Sequence, residues 1–352
     1  MGKAIQENRK AFKGEIMNLE KNKKVNVMFL NPAPSLIKYG MHWGMNKIGC
    51  NSYLFDYGET ALFDKPQDYQ LRKIEEMIKI QKTNLIFCEG YTGMPLKSIS
   101  ELCKKYNIQL HFWDIETPVT TYIAEGMLPF SDFMWSTCIE YVNKYKNRGY
   151  NSDLLLFGCN NDFHKPTQAE DRFKHDISVV GCNYDNRYNK INKFVLPLYR
   201  DNYDVMTYGH WWLDKNRDVN LCKYPEKCYK DGYLHYDLLG NVIASSKIMV
   251  GLNCSDESET QTSCRPYETL VWSNNAVYLA WYTKAQDKIF GDYIYQAKNR
   301  KEMLDMANEI LSMTDGQRRQ IAVRASDYVH NNHNYAIRAQ TVIDKFFELG
   351  GL

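Results

Sequence analysis

Ile177-Ser-Val-Val-Gly181 is a short apolar run that ends in glycine, and polar residues follow it as far as Arg187. A similar run, Val25–Leu30, stands near the start of the chain and stops at Asn31-Pro32. Each run opens a series in which short apolar stretches alternate with amphipathic, helix-like stretches. Such alternation is typical of parallel α/β sheets, and its restart near residue 177 predicts two of them.

Four segments follow from these two series. The first series continues near residues 52–56, 84–88, 109–113, 133–136 and 154–157, and the second near 203–207, 247–252, 276–280 and 292–295. Between the series, residues 160–166 are polar and end in proline, as interdomain linkers often do. We predict a polar extension or helix (1–22), two Rossmann-like domains (23–163 and 164–334) and a final helix (335–352).

Composition excludes several classes of protein. The formal net charge is +2, so no overall field attracts nucleic acid or an anionic membrane. No run approaches the ~20 apolar residues of a membrane helix, and the polar N-terminus lacks the apolar core of a signal peptide. The ten cysteines are scattered without CxxC spacing, which favours structural roles over a metal site. We expect a cytoplasmic protein without membrane insertion.

The segment Ser263-Cys-Arg265-Pro-Tyr-Glu268 predicts an anion-binding site. It opens an apolar helix with Pro266 in the first turn, where proline fits. A hydroxyl and a guanidinium at a helix N-terminus attract a phosphate, and Glu268, one turn in, can accept hydrogen bonds from ribose hydroxyls. The alternative is a capping arrangement in which Arg265 simply pairs with Glu268.

Two further segments of the second half carry candidate donor-binding residues. Gly181 lets the backbone approach a diphosphate, Asn183 can cap the next helix, and Arg187 can meet phosphate as a charged fork. Further along, His235 and Tyr236 lie in a loop before a helix, where they can clasp a nucleobase. A common strand–glycine–helix turn and a capping loop are the alternatives.

The first half is expected to shape the acceptor site. Gly40 and Gly44 flank an aromatic loop containing His42 and Trp43 beyond the first strand. Two glycines there suit close approach to donor phosphates and acceptor. His42 has the pKa range of a general base, although a solvated loop histidine is an equal alternative.

Two acidic residues follow another strand of this half. Asp114 and Glu116 stand just beyond the run 109–113, where they can deprotonate an acceptor hydroxyl or cap the next helix. No DxD motif occurs, so we predict no metal and no other cofactor. The charges of Arg265 and Arg187 then stabilise a leaving diphosphate.

At this point the chain resembles the CgeB/YkvP-type spore-protein glycosyltransferases, relatives of the group 1 GT-B enzymes. The likeness covers about residues 25–345 and rests on the order and spacing of several segments. These are Phe112-Trp-Asp-Ile-Glu-Thr-Pro118, Asp132-Phe-Met-Trp-Ser-Thr137 with Glu140-Tyr-Val142 and Tyr145, Leu156-Phe-Gly-Cys-Asn-Asn-Asp-Phe-His164, Ile177-Ser-Val-Val-Gly181, Tyr208-Gly-His-Trp211, Ser246-Lys-Ile-Met-Val-Gly-Leu-Asn253, Arg265-Pro-Tyr-Glu268 and His333-Asn-Tyr335.

The resemblance implies a GT-B fold. In it, two Rossmann-like domains face each other across a cleft, and the C-terminal helix packs back toward the N-terminal domain. It also implies a nucleotide-sugar donor, UDP-linked by default, with Glu268 on the ribose and Arg265 near phosphate. Group 1 enzymes often carry a second glutamate eight positions earlier, and here that position is Thr260.

The resulting hypothesis is a metal-independent glycosyltransferase that moves a sugar from a nucleoside diphosphate to an unidentified acceptor hydroxyl. The departure at Thr260 favours one rival, a non-catalytic nucleotide-sugar or glycan-binding protein. A nicotinamide-dependent oxidoreductase is disfavoured because no GxGxxG follows either leading strand. The acceptor stays open among a glycan, a protein, a small molecule and a modified base in phage DNA.

Overall fold

The computed structural model describes residues 19–30, 34–56, 62–90, 94–224, 229–231, 234–253 and 255–352. The chain divides into two compact units, the first comprising Met1–Leu156 with Tyr335–Leu352 and the second Phe157–Asn334. The chain therefore passes from the first unit to the second between residues 156 and 157, whereas the sequence suggested a boundary between 163 and 164. The difference has a physical reason, because the ring of Phe157 packs against Tyr267 of the second unit, with centroids 6.3 Å apart.

The first unit contains a six-stranded parallel sheet in the order β2-β1-β3-β4-β5-β6. Its strands are β1 (Asn26–Leu30), β2 (Asn51–Phe55), β3 (Leu85–Glu89), β4 (Gln109–Asp114), β5 (Phe133–Ser136) and β6 (Ser152–Leu154). Its α-helices are His42–Lys47, Gln67–Gln81, Leu96–Lys105, Thr121–Met127, Ile139–Asn147 and Tyr335–Glu348, with a π-helix at Pro34–Met41 and 3₁₀ turns at Leu62–Asp64 and Leu128–Phe130.

The second unit repeats this architecture with the order β12-β11-β10-β7-β8-β9. Its strands are β7 (His175–Val180), β8 (Val205–Gly209), β9 (Tyr229–Asp231), β10 (Ser246–Gly251), β11 (Val277–Trp281) and β12 (Tyr295–Ala297). Its α-helices are Tyr188–Lys190, Leu196–Arg200, Leu239–Ala244, Arg265–Trp272, Lys284–Phe290, Arg300–Ser312 and Asp315–Asn332, with a π-helix at Ile191–Val195 and 3₁₀ turns at Asp171–Phe173, Asp185–Arg187, Tyr236–Leu238 and Gly291–Tyr293.

Local sequence signals account for these elements. The central strands are continuous apolar runs, as strands covered on both faces by helices must be; β1, for instance, buries Val27 through Leu30. Two of the later helices begin at capping residues: the side chain of Asn299 accepts the N–H of Glu302, and Thr314 and Gln317 form a reciprocal capping box. The predicted α/β class with two parallel sheets is confirmed.

Strand order also marks where each sheet can bind a ligand. In the second unit the chain leaves β7 toward β8 and β9 and later returns on its other side with β10. In the first unit β1 is flanked in the same way by β2 and β3. Parallel sheets bind ligands at the carboxyl ends of the strands, where the order reverses. The carboxyl ends of β7 and β10, and those of β1 and β3, are thus the expected ligand-binding positions.

The C-terminal helix belongs to the first unit and explains two glycines. A Cβ on Gly44 would lie 2.2 Å from the carbonyl oxygen of Tyr335, and one on Gly40 would lie 2.8 Å from the Tyr335 ring. Both glycines lie in helical segments rather than in the predicted loop. The close approach that the structure shows for both glycines is to Tyr335, and their place beside phosphate and acceptor stays a prediction.

We expect Gly44→Ala to destabilise the protein, because the new methyl group meets backbone that cannot move aside. Overpacking of this kind costs about 1–3 kcal/mol, which lowers the melting temperature by several degrees. Calorimetry should be compared with Gly316→Ala, a helical glycine whose added Cβ would meet only Thr314 Oγ1 at 3.9 Å. Equal melting temperatures for the two variants would contradict this account of Gly44.

Candidate functional site

Glycines at the ends of β7, β8 and β10 clear space at the switch point of the second unit. A Cβ on Gly209 would lie 2.2 Å from the carbonyl oxygen of Gly181, and one on Gly251 would lie 2.1 Å from the Tyr278 hydroxyl. The indole of Trp212 donates a 2.8 Å hydrogen bond to the same Gly181 carbonyl. The backbone segments at these strand ends are therefore packed closely together, and a side chain at Gly209 or Gly251 would collide with its neighbours.

A small cavity opens beside these strand ends, and three of the predicted donor-binding residues line it. They are Gly181, Tyr236 and Arg265. Gly209, His210 and Leu234 also line the cavity. These residues come from separate segments of the chain. The structure thus brings together residues that the sequence only suggested one by one.

Arg265 forms an ion pair with Glu268. Its Nη1 donates to Glu268 Oε2 at 2.8 Å, and the Tyr236 hydroxyl donates to Glu268 Oε1 at 2.7 Å. The Glu268 side chain is only 2% exposed, so its charge is compensated inside the protein. A buried carboxylate survives only with such partners. The pairing foreseen as the alternative is therefore present, and it adjoins the cavity.

Aromatic rings hold Tyr236 in place. Its ring stacks on Phe163, with centroids 5.9 Å apart and planes 13° apart, and meets Trp272 edge-on at 5.4 Å. The imidazole Nε2 of His164 lies 3.0 Å from the Tyr236 hydroxyl. The hydroxyl that contacts Glu268 therefore has little freedom to move.

Arg187 and Tyr278 lie near the same strand ends. Arg187 is buried, donates to the Cys182 carbonyl at 3.0 Å, and has a guanidinium nitrogen 3.9 Å from where a Gly181 Cβ would be. The Tyr278 hydroxyl is buried and has no hydrogen-bond partner in the described part of the chain. Burial raises the pKa of Tyr278, although the positive charges of Arg265 and Arg187 oppose the shift.

Other predicted donor residues have different positions. Asn183 is buried and its amide donates to the carbonyls of Trp211 and Val219 at 3.2 and 2.6 Å, so it holds that loop instead of capping a helix. His235 is 72% exposed and lies 3.3 Å from Asp237. The Ser263 backbone N–H donates to Asn253 Oδ1 at 3.1 Å, and its hydroxyl does not cap the helix at Arg265.

In the first unit, Asp114 lies in the interior. Its Oδ1 accepts the Thr117 N–H at 3.2 Å, and its Oδ2 accepts the hydroxyls of Ser136 and Tyr145, both at 3.1 Å. Burial raises the pKa of Asp114 and these hydrogen bonds oppose the shift. Asp114 therefore caps the turn after β4, whereas Glu116 is exposed.

His42 is half-buried at the start of its helix. Its Nδ1 lies 2.8 Å from Ser52 Oγ and its Nε2 lies 3.3 Å from the Asn46 amide. Burial lowers the pKa of His42. Beside it, Trp43 is half-buried and lies under the Lys47 ammonium, 5.8 Å from the ring centroid.

Sequence reasoning missed Glu89, the last residue of β3 and thus at the switch point of the first unit. Its Oε2 is buried without a hydrogen-bond partner among the residues that the structure describes. Burial raises the pKa of Glu89 to about 8, and the Glu116 carboxylate adds to the shift. The charged residue at the end of an apolar run was the available signal.

A protein-family model matches the C-terminal part of the chain. Residues 187–344 match the model of a family described as glycosyl transferase-like. The matched segment is less than half of the chain. It contains Arg187, Tyr236, Arg265, Glu268 and Tyr278, and Gly181 lies just before it. No curated protein matches the chain.

Solved structures resemble the chain over nearly its whole length. HepE from Anabaena, in complex with UDP and glucose, has 10% identity and a TM-score of 0.62, covering 92% of this chain and 100% of its own. A trehalose-6-phosphate protein from E. coli, bound with UDP-2-fluoro glucose, has 9% identity and a TM-score of 0.57, covering 91% and 98%. A putative UDP-N-acetylglucosamine 2-epimerase from Listeria monocytogenes has 10% identity and a TM-score of 0.55, covering 92% and 97%. The fold is GT-B.

Two features are absent from the described part of the chain. No helix there has both the length and the apolar character needed to cross a membrane. Nor do three or more His, Cys, Asp or Glu side chains group there as metal ligands would.

We expect Glu89 to make stability depend on pH. In the folded protein the pKa of Glu89 is about 8, above the ordinary value of 4.5. Protonation of Glu89 therefore stabilises the folded state, and its full contribution to the free energy of unfolding is present below pH 4.5. It is lost as pH rises toward 8, at about 1 kcal/mol per pH unit. Glu89→Gln should remove this loss.

Urea unfolding of the wild type and of Glu89→Gln between pH 5 and 8 measures the effect. The two free energies of unfolding should diverge as pH rises, with the variant more stable at pH 8. The matched control is Glu76→Gln, on an exposed helix face beside Lys73, which should parallel the wild type. Parallel curves for Glu89→Gln would mean that Glu89 titrates normally.

Proposed function

We propose that the protein is a glycosyltransferase that transfers a sugar from a nucleoside diphosphate, UDP by default, to an acceptor hydroxyl. The observation that carries the proposal is the cluster of Gly181, Tyr236, Arg265 and Glu268 at the carboxyl ends of β7 and β8. The match of residues 187–344 to the glycosyl transferase-like family and the UDP complexes of HepE support it. The finer assignment to the CgeB/YkvP type stays a prediction.

In this proposal Glu268 holds the ribose. Each carboxylate oxygen has two lone pairs and uses one of them on Arg265 or Tyr236. The remaining lone pairs can accept the 2′- and 3′-hydroxyls of a ribose. A carboxylate that is fixed in advance by two donors pays little entropy for this contact.

The leaving diphosphate is stabilised by protein charges, without a metal ion. Arg265 starts the helix Arg265–Trp272, so its guanidinium and the helix N-terminus attract the same anion. Arg187 adds a second charge near Gly181, and the Tyr278 hydroxyl is a further donor. Fixed charges in a water-poor site stabilise negative charge as it develops on the leaving group.

For the acceptor, we propose that a carboxylate of the first unit removes the hydroxyl proton. Glu89 and Glu116 suit this role better than Asp114, because three hydrogen bonds occupy Asp114. Burial raises the pKa of Glu89 to about 8, and a carboxyl group with a pKa near the working pH is a competent base. His42 stays an alternative, with its ring already engaged by Ser52 and Asn46.

The departure at Thr260 favours a second candidate, a protein that binds a nucleotide sugar without transferring it. Thr260 is buried in the loop before the helix that begins at Arg265. A neutral hydroxyl there offers no negative charge to an incoming sugar. Release of UDP from UDP-glucose, measured with and without candidate acceptors, separates the two functions.

We expect Arg265→Gln and Arg187→Gln to weaken UDP binding by at least about tenfold each. Each variant removes a charged hydrogen bond worth about 1.5–3 kcal/mol but keeps a polar side chain. Isothermal titration calorimetry with UDP measures the loss. Arg265→Gln should also lower the ligand-free melting temperature, because Glu268 loses its partner.

Arg172→Gln is the matched control. Arg172 lies in the same unit, pairs with Glu170 and is 57% exposed, so its loss should leave UDP affinity unchanged. If UDP bound equally well to all four proteins, the diphosphate would have to lie elsewhere. If the wild type bound no UDP or UDP-glucose, the default donor class would be wrong.

A further inference from the structure

A chain of four hydrogen bonds leads from the first residues of the second unit to Glu268. The backbone N–H of Asn160 donates to His164 Nδ1 at 3.0 Å. His164 Nε2 lies 3.0 Å from the Tyr236 hydroxyl, which donates to Glu268 Oε1 at 2.7 Å. Arg265 then donates to the other carboxylate oxygen at 2.8 Å.

The direction of each bond follows from the first. Since His164 Nδ1 accepts a backbone N–H, the neutral ring carries its proton on Nε2 and donates it to the Tyr236 oxygen. The Tyr236 hydroxyl then donates its own proton to Glu268. His164 is fully buried, and burial lowers its pKa to about 3, with the charges of Arg265 and His330 adding to the shift. The ring is therefore a neutral donor at any physiological pH.

The segment that carries His164 is itself fixed. Asn160 Oδ1 accepts the N–H groups of Asp162 and Phe163 at 2.8 and 3.0 Å, and the His164 N–H donates to the Asn160 carbonyl at 2.8 Å. Cys159 N–H donates to the His333 carbonyl at 2.8 Å. This turn therefore gives the imidazole one position.

We propose that His164 is a positioning residue: through the Tyr236 hydroxyl it sets the Glu268 carboxylate in the orientation that accepts the ribose hydroxyls of the donor. The inference rests on the proposed function, because it concerns how that site holds its nucleotide. His164 itself has no contact with the ligand. Its effect is expected in the recognition of ribose and not in the recognition of phosphate.

Two substitutions of His164 separate the donor nitrogen of the imidazole from its acceptor nitrogen. His164→Gln places an amide N–H near the position of Nε2 and keeps the donor to Tyr236. His164→Asn places an oxygen near the position of Nδ1, keeps the acceptor for Asn160 and loses that donor. Tyr236→Phe removes the relay while its ring still stacks on Phe163.

The measurement is the ratio of dissociation constants for UDP and for its 2′-deoxy and 3′-deoxy analogues, by isothermal titration calorimetry. In the wild type, removing at least one hydroxyl should weaken binding by about tenfold or more, as expected for a hydrogen bond to a charged group. His164→Gln should keep that ratio. In His164→Asn and Tyr236→Phe it should fall below about threefold, with melting temperatures recorded for each variant.

The ratio separates positioning from general damage, since a loosened fold weakens all three ligands alike. If His164→Asn kept the wild-type ratio, or if the wild type did not discriminate the analogues, the positioning role would be overturned and UDP binding would stand. If the wild type bound none of the three ligands, the proposed donor site would fail and the positioning role with it.

Discussion

The buried carboxylate of Glu268 is the constraint on which the rest of the site depends. A carboxylate taken out of water is stable only with partners of good geometry, and removing one costs about 3–5 kcal/mol. Here Arg265, from the same helix, and Tyr236, from a loop 32 residues earlier, supply them. The helix Arg265–Trp272 must therefore begin beside the ends of β7 and β10, where its N-terminus faces the space left by the glycines.

The carboxyl groups of Glu268 and Glu89 have opposite surroundings. Glu268 is compensated by a cation and a hydroxyl, whereas the Oε2 of Glu89 has no hydrogen-bond partner in the described residues and burial raises the pKa of Glu89 to about 8. Both stand at the carboxyl edge of a parallel sheet. The first arrangement suits a group that holds a ligand by hydrogen bonds, and the second suits a group that gains and loses a proton.

Local signals made part of this architecture predictable. Apolar runs at regular intervals predicted the two parallel sheets, and the sequence around Arg265 predicted a helix start with Glu268 one turn inside. Tertiary contacts decided the rest. Gly40 and Gly44 serve the packing of Tyr335, 290 residues or more away, and Asp114 serves the hydroxyls of Ser136 and Tyr145. The role of His164 could not be assigned, because Tyr236, which it contacts, is 72 residues away. Nor could that of Tyr278, whose buried hydroxyl has no hydrogen-bond partner among the described residues and no local signal in the sequence.

The most direct test of the central claim is a crystal structure of the protein soaked with UDP. The diphosphate should lie within hydrogen-bonding distance, about 3 Å, of the Arg265 guanidinium and beside the backbone at Gly181, with a ribose hydroxyl on Glu268. A nucleotide bound elsewhere, with the Arg265–Glu268 pair untouched in the interior, would contradict the account and leave the pair as packing alone.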